Sequence, residues 1–300
     1  MYDSESQRLN ISAGLASVGV ASVLVMLKLW ALWQTGAISI GASLADSAMD
    51  LLISSLGLVT ILYAARPADH DHTFGHSSAE DLVSLGQAIF IAVSAGLIIW
   101  TASRRLMAPD ADHISSEGVG IVVMVTSVCL TLALVFWQSR VAKRTGNKVV
   151  SADMLHYLGD LLPTMGAIFA LWAAKALGWQ RLDSIVALLA AAIMLRGAWK
   201  IGAGGWNALM DAAAEPEIVT GLGQTVAEYP GVRAYHDLKT RTAGNQLFVQ
   251  VHIELDGDQP LTEAHDIAAG LKQALICAHP NADVIIHKDV WHGASDHPQA

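Results

Sequence analysis

The amino-acid sequence predicts an α-helical membrane protein with six transmembrane helices and a C-terminal α+β domain in the cytoplasm. Three observations support this fold class. Apolar residues make up 53% of the 300 residues and charged residues only 15%, against about 25% charged residues in an average soluble domain. Residues 1–210 contain 14 acidic and 13 basic residues, whereas residues 211–300 contain 13 acidic and 5 basic. The long apolar stretches all lie in the first part, so we predict a transmembrane domain over 1–210, a cytoplasmic domain over 211–292 and a disordered tail over 293–300.

The first part contains six stretches with the length of about 20 mainly apolar residues that a bilayer-spanning helix needs. They cover residues 11–33, 37–65, 82–107, 118–138, 150–177 and 182–206. Tryptophans near the predicted span ends are typical of an aromatic belt: Trp30, Trp33, Trp100, Trp137, Trp179 and Trp206. Lys and Arg are moderately enriched in the loops on the side of the N-terminus. Because such loops are usually cytoplasmic, we expect both termini in the cytoplasm and the protein in the cell inner (plasma) membrane.

The last third of the chain has a different pattern, which predicts the order α-β-β-α-β. The expected elements are a helix over 215–229, strands over 232–241 and 246–256, a helix over 262–278 and a strand over 283–288. The run Ala243-Gly244-Asn245 between the first two strands is typical of a hairpin. This order predicts a small antiparallel sheet with helices on one face.

Composition and motifs exclude two classes of function. The net charge is −9, whereas nucleic-acid-binding proteins usually carry a basic patch, so we expect no nucleic-acid partner. The sequence has no G-x-x-x-x-G-K-[ST] loop, and the glycine cluster at 202–205 lacks the lysine and hydroxyl of such a loop. We therefore expect a secondary transporter driven by a gradient rather than an enzyme or an ATP-driven pump.

Four of the ionisable residues inside predicted spans form two matched pairs, although an acid there costs about 2.5–3.5 kcal/mol on insertion scales. Asp46 and Asp50 lie in the second span, and His156 and Asp160 lie in the fifth. Each pair is spaced i, i+4, so its members share one helix face. Two helices that bring these faces together would offer one imidazole and three carboxylates, which can form a tetrahedral metal site.

The same four residues are also compatible with two roles that need no metal. They could form hydrogen bonds between helices, or they could relay protons. The metal and proton interpretations share a mechanism, because three clustered carboxylates are not all ionised without a cation and a metal must displace their protons. Competition of this kind would make a metal/proton antiporter with the proton as coupling ion.

A second candidate metal site lies in the polar connector between the second and third spans. Asp69, His72 and His76 are close enough in sequence to hold one ion within a loop. The alternative is a solvated polar connector, because loops are polar in any case.

The last third contains a third candidate metal site. His236 and His252 lie on the predicted hairpin strands, His287 and Asp289 end the last strand, and His265 lies on the intervening helix. Neighbouring strands can bring such residues together, and imidazole suits zinc and similar metals. Seven of the twelve histidines fall in this third, which favours a metal site over isolated surface histidines.

Five motifs in this order resemble the cation diffusion facilitator family, and within it the bacterial zinc/iron efflux branch. They are D-x-x-x-D in span two, H-x-x-x-D in span five, P-A-D-x-x-H-x-x-x-H in the connector, and H-D-L-x-T-R and V-I-I-H-x-D in the last third. The resemblance runs from about residue 8 to residue 290. It implies a homodimer of six-span protomers in the lipid bilayer, with metallochaperone-like cytoplasmic domains, that exports Zn²⁺ against proton entry by alternating access.

The resemblance also implies roles for individual positions. The transport site would be Asp46, Asp50, His156 and Asp160; the connector site Asp69, His72 and His76; and the cytoplasmic site, binuclear in this branch, His236, His252, His287 and Asp289 with His265 near it. Leu155 occupies the position of a hydrophobic gate. Two departures stand out: Ser78 replaces a lysine that pairs across subunits with an acid matching Asp211, and Lys288 stands between His287 and Asp289. The first puts the charge pairing in doubt, and the second could weaken a binuclear site or point away from it.

Metal identity and function class remain open at the level of sequence. One imidazole with three carboxylates accepts Cd²⁺, Fe²⁺ and Mn²⁺ as well as Zn²⁺. A membrane-anchored metal sensor and a proton-coupled carrier that uses no metal are the competing interpretations. The sensor interpretation accounts for the histidines of the last third but not for the paired acids inside the spans.

Overall fold

The computed structural model describes residues 4–35, 38–107, 118–177 and 182–293. These residues divide into two compact units, Ser4–Trp206 and 207–293, and each unit is described by itself. Trp179 of the predicted aromatic belt lies outside the described residues. So does the predicted tail from residue 294 onward.

Long helices build the first unit. Those described are α1 (Ser4–Thr35), α2 (Ile38–Ala64), α3 (Ser78–Met107), α4 (Gly118–Thr145), α5 (Lys148–Leu177) and α6 (Leu182–Leu209). All six predicted spans are thereby confirmed as helices, although several extend further; the first begins at Ser4 and the fourth ends at Thr145. Apolar patterning locates only the part of a helix that lies in hydrocarbon, whereas the backbone hydrogen bonds continue beyond it.

Five of these helices, α1, α2, α3, α4 and α6, are long and apolar enough over their described residues to cross a membrane. The helices also expose large apolar side chains on their outer surfaces, among them Met26, Phe136 and Trp199, which is 80% exposed. Such surfaces are suited to contact with lipid.

Small residues let α1 approach α2 closely. Ala13, Ala21 and Ala31 of α1 are fully buried. A Cβ atom at Gly14 would lie 2.9 Å from Cδ1 of Leu58 on α2, so a larger residue here would force Leu58 to move. Helices in membranes associate through close packing of this kind.

Polar contacts join the beginnings of α3 and α5. The buried Asp81 accepts a hydrogen bond from Nζ of Lys148 at 2.5 Å. Asn147 donates from Nδ2 to Oε1 of Glu80 at 2.8 Å, while its Oδ1 accepts from the backbone nitrogen of Val150 at 3.0 Å and so caps α5. The beginning of α3 is thereby anchored to α5, the helix that carries His156.

The second unit has the predicted order α-β-β-α-β. Its elements are α7 (Pro216–Ala227), β1 (Ala234–Ala243), β2 (Gln246–Leu255), α8 (Leu261–Ala278) and β3 (Ala282–Val290). The three strands form one sheet in the order β1-β2-β3. The prediction of a fully antiparallel sheet is wrong, because β2 pairs with β1 antiparallel but with β3 parallel. The helix α8 returns the chain to the end of the sheet where β2 began, so β3 must run in the same direction as β2.

One face of the sheet carries the core. Along β2, Leu247, Val249, Val251 and Ile253 are buried at alternating positions and pack with residues of both α7 and α8, such as Leu271. This alternation is the two-residue period of a strand with one covered face. The other face therefore carries the intervening residues of β2, including His252.

Candidate metal sites

The candidate transport cluster lies between α2 and α5. His156 Nε2 is 3.0 Å from Asp50 Oδ1. Asp50, His156 and Asp160 each offer a ligand atom, and these three atoms lie within 4.8 Å of one another. His156 is buried, Asp50 is half-buried and Asp160 is exposed, so the cluster is open on one side.

Asp46 is not part of this three-residue group. It lies one turn before Asp50 on α2 and is exposed, although it is near enough for its charge to interact with that of Asp160. The structure therefore brings together three of the four predicted ligands and leaves Asp46 beside them. The assignment of all four to a transport site stays a prediction.

Aromatic and aliphatic packing fixes the helix around His156. The ring centroid of His156 is 5.7 Å from that of Phe90 on α3 and 5.6 Å from that of Tyr157. Leu155, the predicted gate, is buried in an apolar cluster with Ile91 of α3 and Met194 of α6. Leu155 thus precedes the histidine and lies on the side of α5 that faces α3 and α6, and its role as a gate stays a prediction.

A buried carboxylate near this cluster is absent from the predicted sites. Asp153 is 5% exposed and accepts hydrogen bonds from Gln138 Nε2 at 2.6 Å, from Ser17 Oγ at 2.5 Å and from Ser54 Oγ at 3.2 Å. Its three partners come from α4, α1 and α2, so four helices meet at one side chain. Ser54 also lies 2.9 Å from the hydroxyl of Tyr157. The signal was available, because Asp153 is an ionisable residue inside a predicted span.

The connector residues are close together. Asp69 Oδ1 is 3.3 Å from His72 Nδ1, and Asp69 Oδ2 is 3.3 Å from His76 Nε2. Backbone N–H groups of His72 and Asp71 donate to Asp69 at 2.7 and 3.0 Å and hold the pKa of this carboxyl below its usual range. His76 is buried, and its Nδ1 has no hydrogen-bond partner in the described part of the chain. The three residues thus offer an ionised carboxylate and two imidazoles to a single ion, although this site also stays a prediction.

Three histidines stand in one row across the sheet of the second unit. His236 pairs with His252, and His252 pairs with His287, in the strand register. Asp289 contacts all three: Oδ2 is 2.8 Å from His252 Nδ1 and 3.5 Å from His236 Nε2, and Oδ1 is 3.2 Å from His287 Nε2. Partial desolvation would raise the pKa of Asp289, but the hydrogen bond with His252 and the imidazole charges outweigh it and lower that pKa. The ligand atoms of His236, His252 and Asp289 lie within 4.8 Å of one another.

Three further residues lie near this row or were expected near it. Glu254, which the sequence reasoning missed, is buried and lies 3.2 Å from His236 Nδ1; its position two residues after His252 on one strand was the available signal. Lys288 pairs with the fully buried Ile253, so it stands on the opposite face from His287 and Asp289. His265 lies exposed on α8, outside the group formed within this protomer.

The expected partner of the missing lysine has another contact. Asp211 Oδ1 lies 3.2 Å from Arg241 Nη1 within the second unit. Ser78 is exposed at the first position of α3.

Apolar spanning helices that gather carboxylates and an imidazole, followed by an α+β domain with a histidine row, define a multi-pass membrane transporter for cations. Residues 14–210 match the family model described as the cation efflux transmembrane domain. Residues 214–290 match the model of the cation efflux protein cytoplasmic domain, a dimerisation domain. The chain belongs to the cation efflux, or cation diffusion facilitator, family, whose members are transporters and not enzymes.

Similar proteins include several named cation-efflux pump FieF. The chain is 38% identical to those of Klebsiella pneumoniae and Serratia proteamaculans and 37% identical to that of Escherichia coli O127:H6. Each comparison extends over 282 residues, which is 94% of this chain and 93% of the relative. Among solved structures, CzrB in its Zn form is 32% identical over 30% of this chain and 100% of its own, with a TM-score of 0.27. The relatives named FieF agree with the resemblance that the five motifs carry.

Proposed function

We propose that the protein exports divalent metal ions from the cytoplasm in exchange for protons, with Zn²⁺ as its principal substrate. It works as a homodimer in the bacterial inner membrane, with both termini in the cytoplasm, and moves the ion by alternating access. The observation that carries the proposal is the cluster of Asp50, His156 and Asp160 between two helices of a cation efflux domain.

The chemistry of the cluster supports zinc. Zn²⁺ accepts imidazole nitrogen and carboxylate oxygen in tetrahedral sites, and Asp46 stands one turn from Asp50 as a fourth donor. The same mixed ligand set also accepts Cd²⁺, Fe²⁺ and Mn²⁺, which we propose as secondary substrates. Three carboxylates near one imidazole favour proton uptake when no metal is bound. Metal entry then releases those protons, which is the basis of the exchange.

Proteoliposomes that report lumenal zinc and lumenal pH test this function. We expect zinc uptake coupled to proton release in the unmodified protein, and loss of both in Asp50→Ala. Met49→Ala is the matched control, because Met49 is the exposed neighbour on the same helix. Undiminished zinc flux in Asp50→Ala would contradict the site assignment, and proton flux independent of any divalent metal would contradict metal exchange.

A further inference from the structure

Lys28 places a positive charge beside the candidate transport cluster, from a helix that supplies none of its candidate ligands. The half-buried Lys28 of α1 donates from Nζ to Ser47 Oγ at 2.7 Å and to the backbone oxygen of Ser43 at 3.0 Å. Ser47 is buried on α2 between Asp46 and Asp50. The close packing of α1 on α2 therefore brings the ammonium group to the stretch of α2 that carries two of the acids.

The charge of Lys28 acts on the acids of the cluster. It interacts electrostatically with Asp50, Asp46 and Asp160. Three ionised carboxylates attract a divalent ion, and the positive charge of Lys28 offsets one of these negative charges.

We infer that Lys28 is a built-in counter-cation of the transport site, which repels the bound divalent ion and lowers its affinity so that the ion can leave. The inference rests on the proposed function, because it concerns the same cluster. A single positive charge within about 10 Å of a divalent ion, at an effective dielectric constant of about 20, changes a binding equilibrium by at least about tenfold. Nζ of Lys28 lies 2.7 Å from Ser47 Oγ, and Ser47 is three residues before Asp50 on α2, a spacing at which Cβ atoms are about 5–6 Å apart.

A purely structural role for Lys28 predicts the opposite result. If its only task were to tie α1 to α2 through Ser43 and Ser47, a neutral substitution would loosen the site and weaken metal binding. The charge and the hydrogen bonds can be separated by three variants. Lys28→Arg keeps the charge, Lys28→Gln keeps a donor without the charge, and Lys28→Met removes both. Lys200→Met is the matched control, since it removes an exposed lysine from the spanning helix α6.

The experiment uses the full chain in detergent and measures Zn²⁺ binding at about pH 8, where protons compete least for the ligands. For each protein, Asp50→Ala is added in a second preparation, and the Zn²⁺ binding that is lost is assigned to the transport site. We expect the Kd of this site to fall at least about tenfold in Lys28→Gln and Lys28→Met, and to stay near the unmodified value in Lys28→Arg and Lys200→Met. In proteoliposomes, KM and kcat should both fall in Lys28→Gln, because the ion binds more tightly and leaves more slowly.

Two outcomes overturn the inference. A Kd that is unchanged or higher in Lys28→Gln, whose folding is verified by its thermal unfolding, shows that the charge does not weaken binding. A Lys28→Arg variant that behaves like Lys28→Gln shows that the effect is not one of charge. The proposed function fails separately, and takes the inference with it, if the unmodified protein shows no zinc uptake that Asp50→Ala abolishes.

Discussion

The carboxylate of Asp153 is expected to be a main source of stability in the membrane unit, and Asp153→Ala tests this directly. The side chain is buried and accepts from donors on three other helices: Ser17, Ser54 and Gln138. The substitution removes every acceptor at once and leaves the donors in place. None of these residues is a candidate metal ligand, so the effect on stability can be separated from an effect on metal binding.

The magnitude follows from counting the donors that lose a partner. Ser17 and Ser54 are also 2.8 Å apart, so one hydroxyl can still donate to the other. The second hydroxyl and the amide of Gln138 are left without an acceptor in a buried site. Each unsatisfied buried donor costs about 1–3 kcal/mol, so we expect a loss of about 2–6 kcal/mol in the free energy of unfolding. For a domain of about 200 residues, each kcal/mol shifts Tm by roughly 2–4 °C.

Thermal unfolding in detergent, followed by the loss of monodisperse protein, measures the effect. Asp46→Ala is the control, because it removes an exposed acid from the same part of the unit and should leave Tm unchanged or slightly higher. Adding Gln138→Met to Asp153→Ala should restore part of the loss, since it removes the stranded amide donor. A Tm for Asp153→Ala within about 2 °C of the unmodified protein, on the scale above, would refute the reasoning.

Two further predictions concern the predicted gate and the histidine row. Leu155→Ala opens a cavity where α5 meets α3 and α6. We expect the free energy of unfolding to fall by about 2–5 kcal/mol and protons to leak through the protein in zinc-free proteoliposomes. A proton flux equal to that of the unmodified protein would contradict the gate role. The lowered pKa of Asp289 contributes stability that is present above the unfolded-state pKa of about 3.9 and is lost as pH falls through the lower folded-state value. In the unmodified protein, acidification below about pH 4 should therefore increase the amide hydrogen exchange of residues 282–290, and in Asp289→Asn this increase should be smaller. An equal increase in the two proteins would contradict this prediction.

The sequence patterns located the elements well because each has a strong period of its own. Six apolar stretches gave six helices, and alternation along 246–256 gave a strand, β2, with one buried face. The i, i+4 spacing of Asp46 with Asp50 and of His156 with Asp160 located the two helix faces that form the cluster. In each case the signal lies within one element and needs no knowledge of its neighbours.

The direction of β3 could not be obtained in this way. Alternation of apolar residues is the same in a parallel and an antiparallel strand, so residues 283–288 indicated a strand without its orientation. The deciding feature is that the helix α8, rather than a short turn, connects β2 to β3, and a crossover of this length returns the chain to the starting end of the sheet. Treating the predicted β-α-β order as a crossover unit would have given the parallel pair.

Two residues that the sequence reasoning missed around the transport cluster lie outside the two i, i+4 pairs. Lys28 and Asp153 are ionisable residues in predicted spans, but neither has a matching residue four positions away that would mark a site. Their roles depend on contacts with other helices: Lys28 contacts Ser47, and Asp153 contacts Ser17 and Gln138. Such contacts depend on how the helices pack, which a pattern within one helix does not carry.

The helix α1 illustrates how packing between helices contributes to the site. It contains no candidate metal ligand, and its sequence between residues 11 and 33 resembles that of a simple membrane anchor. Its alanines and Gly14 nevertheless bring it against α2, where Ser17 bonds the buried carboxylate of α5 and Lys28 sets a positive charge beside the acids. Replacing α1 by another apolar span would keep every candidate ligand. It would nevertheless remove a hydrogen-bond donor to Asp153, and it would remove Lys28, the one lysine in the described part of the cluster that interacts with all three acids. The affinity of the site is therefore a property of three helices, α1, α2 and α5, although only two of them carry the candidate ligands.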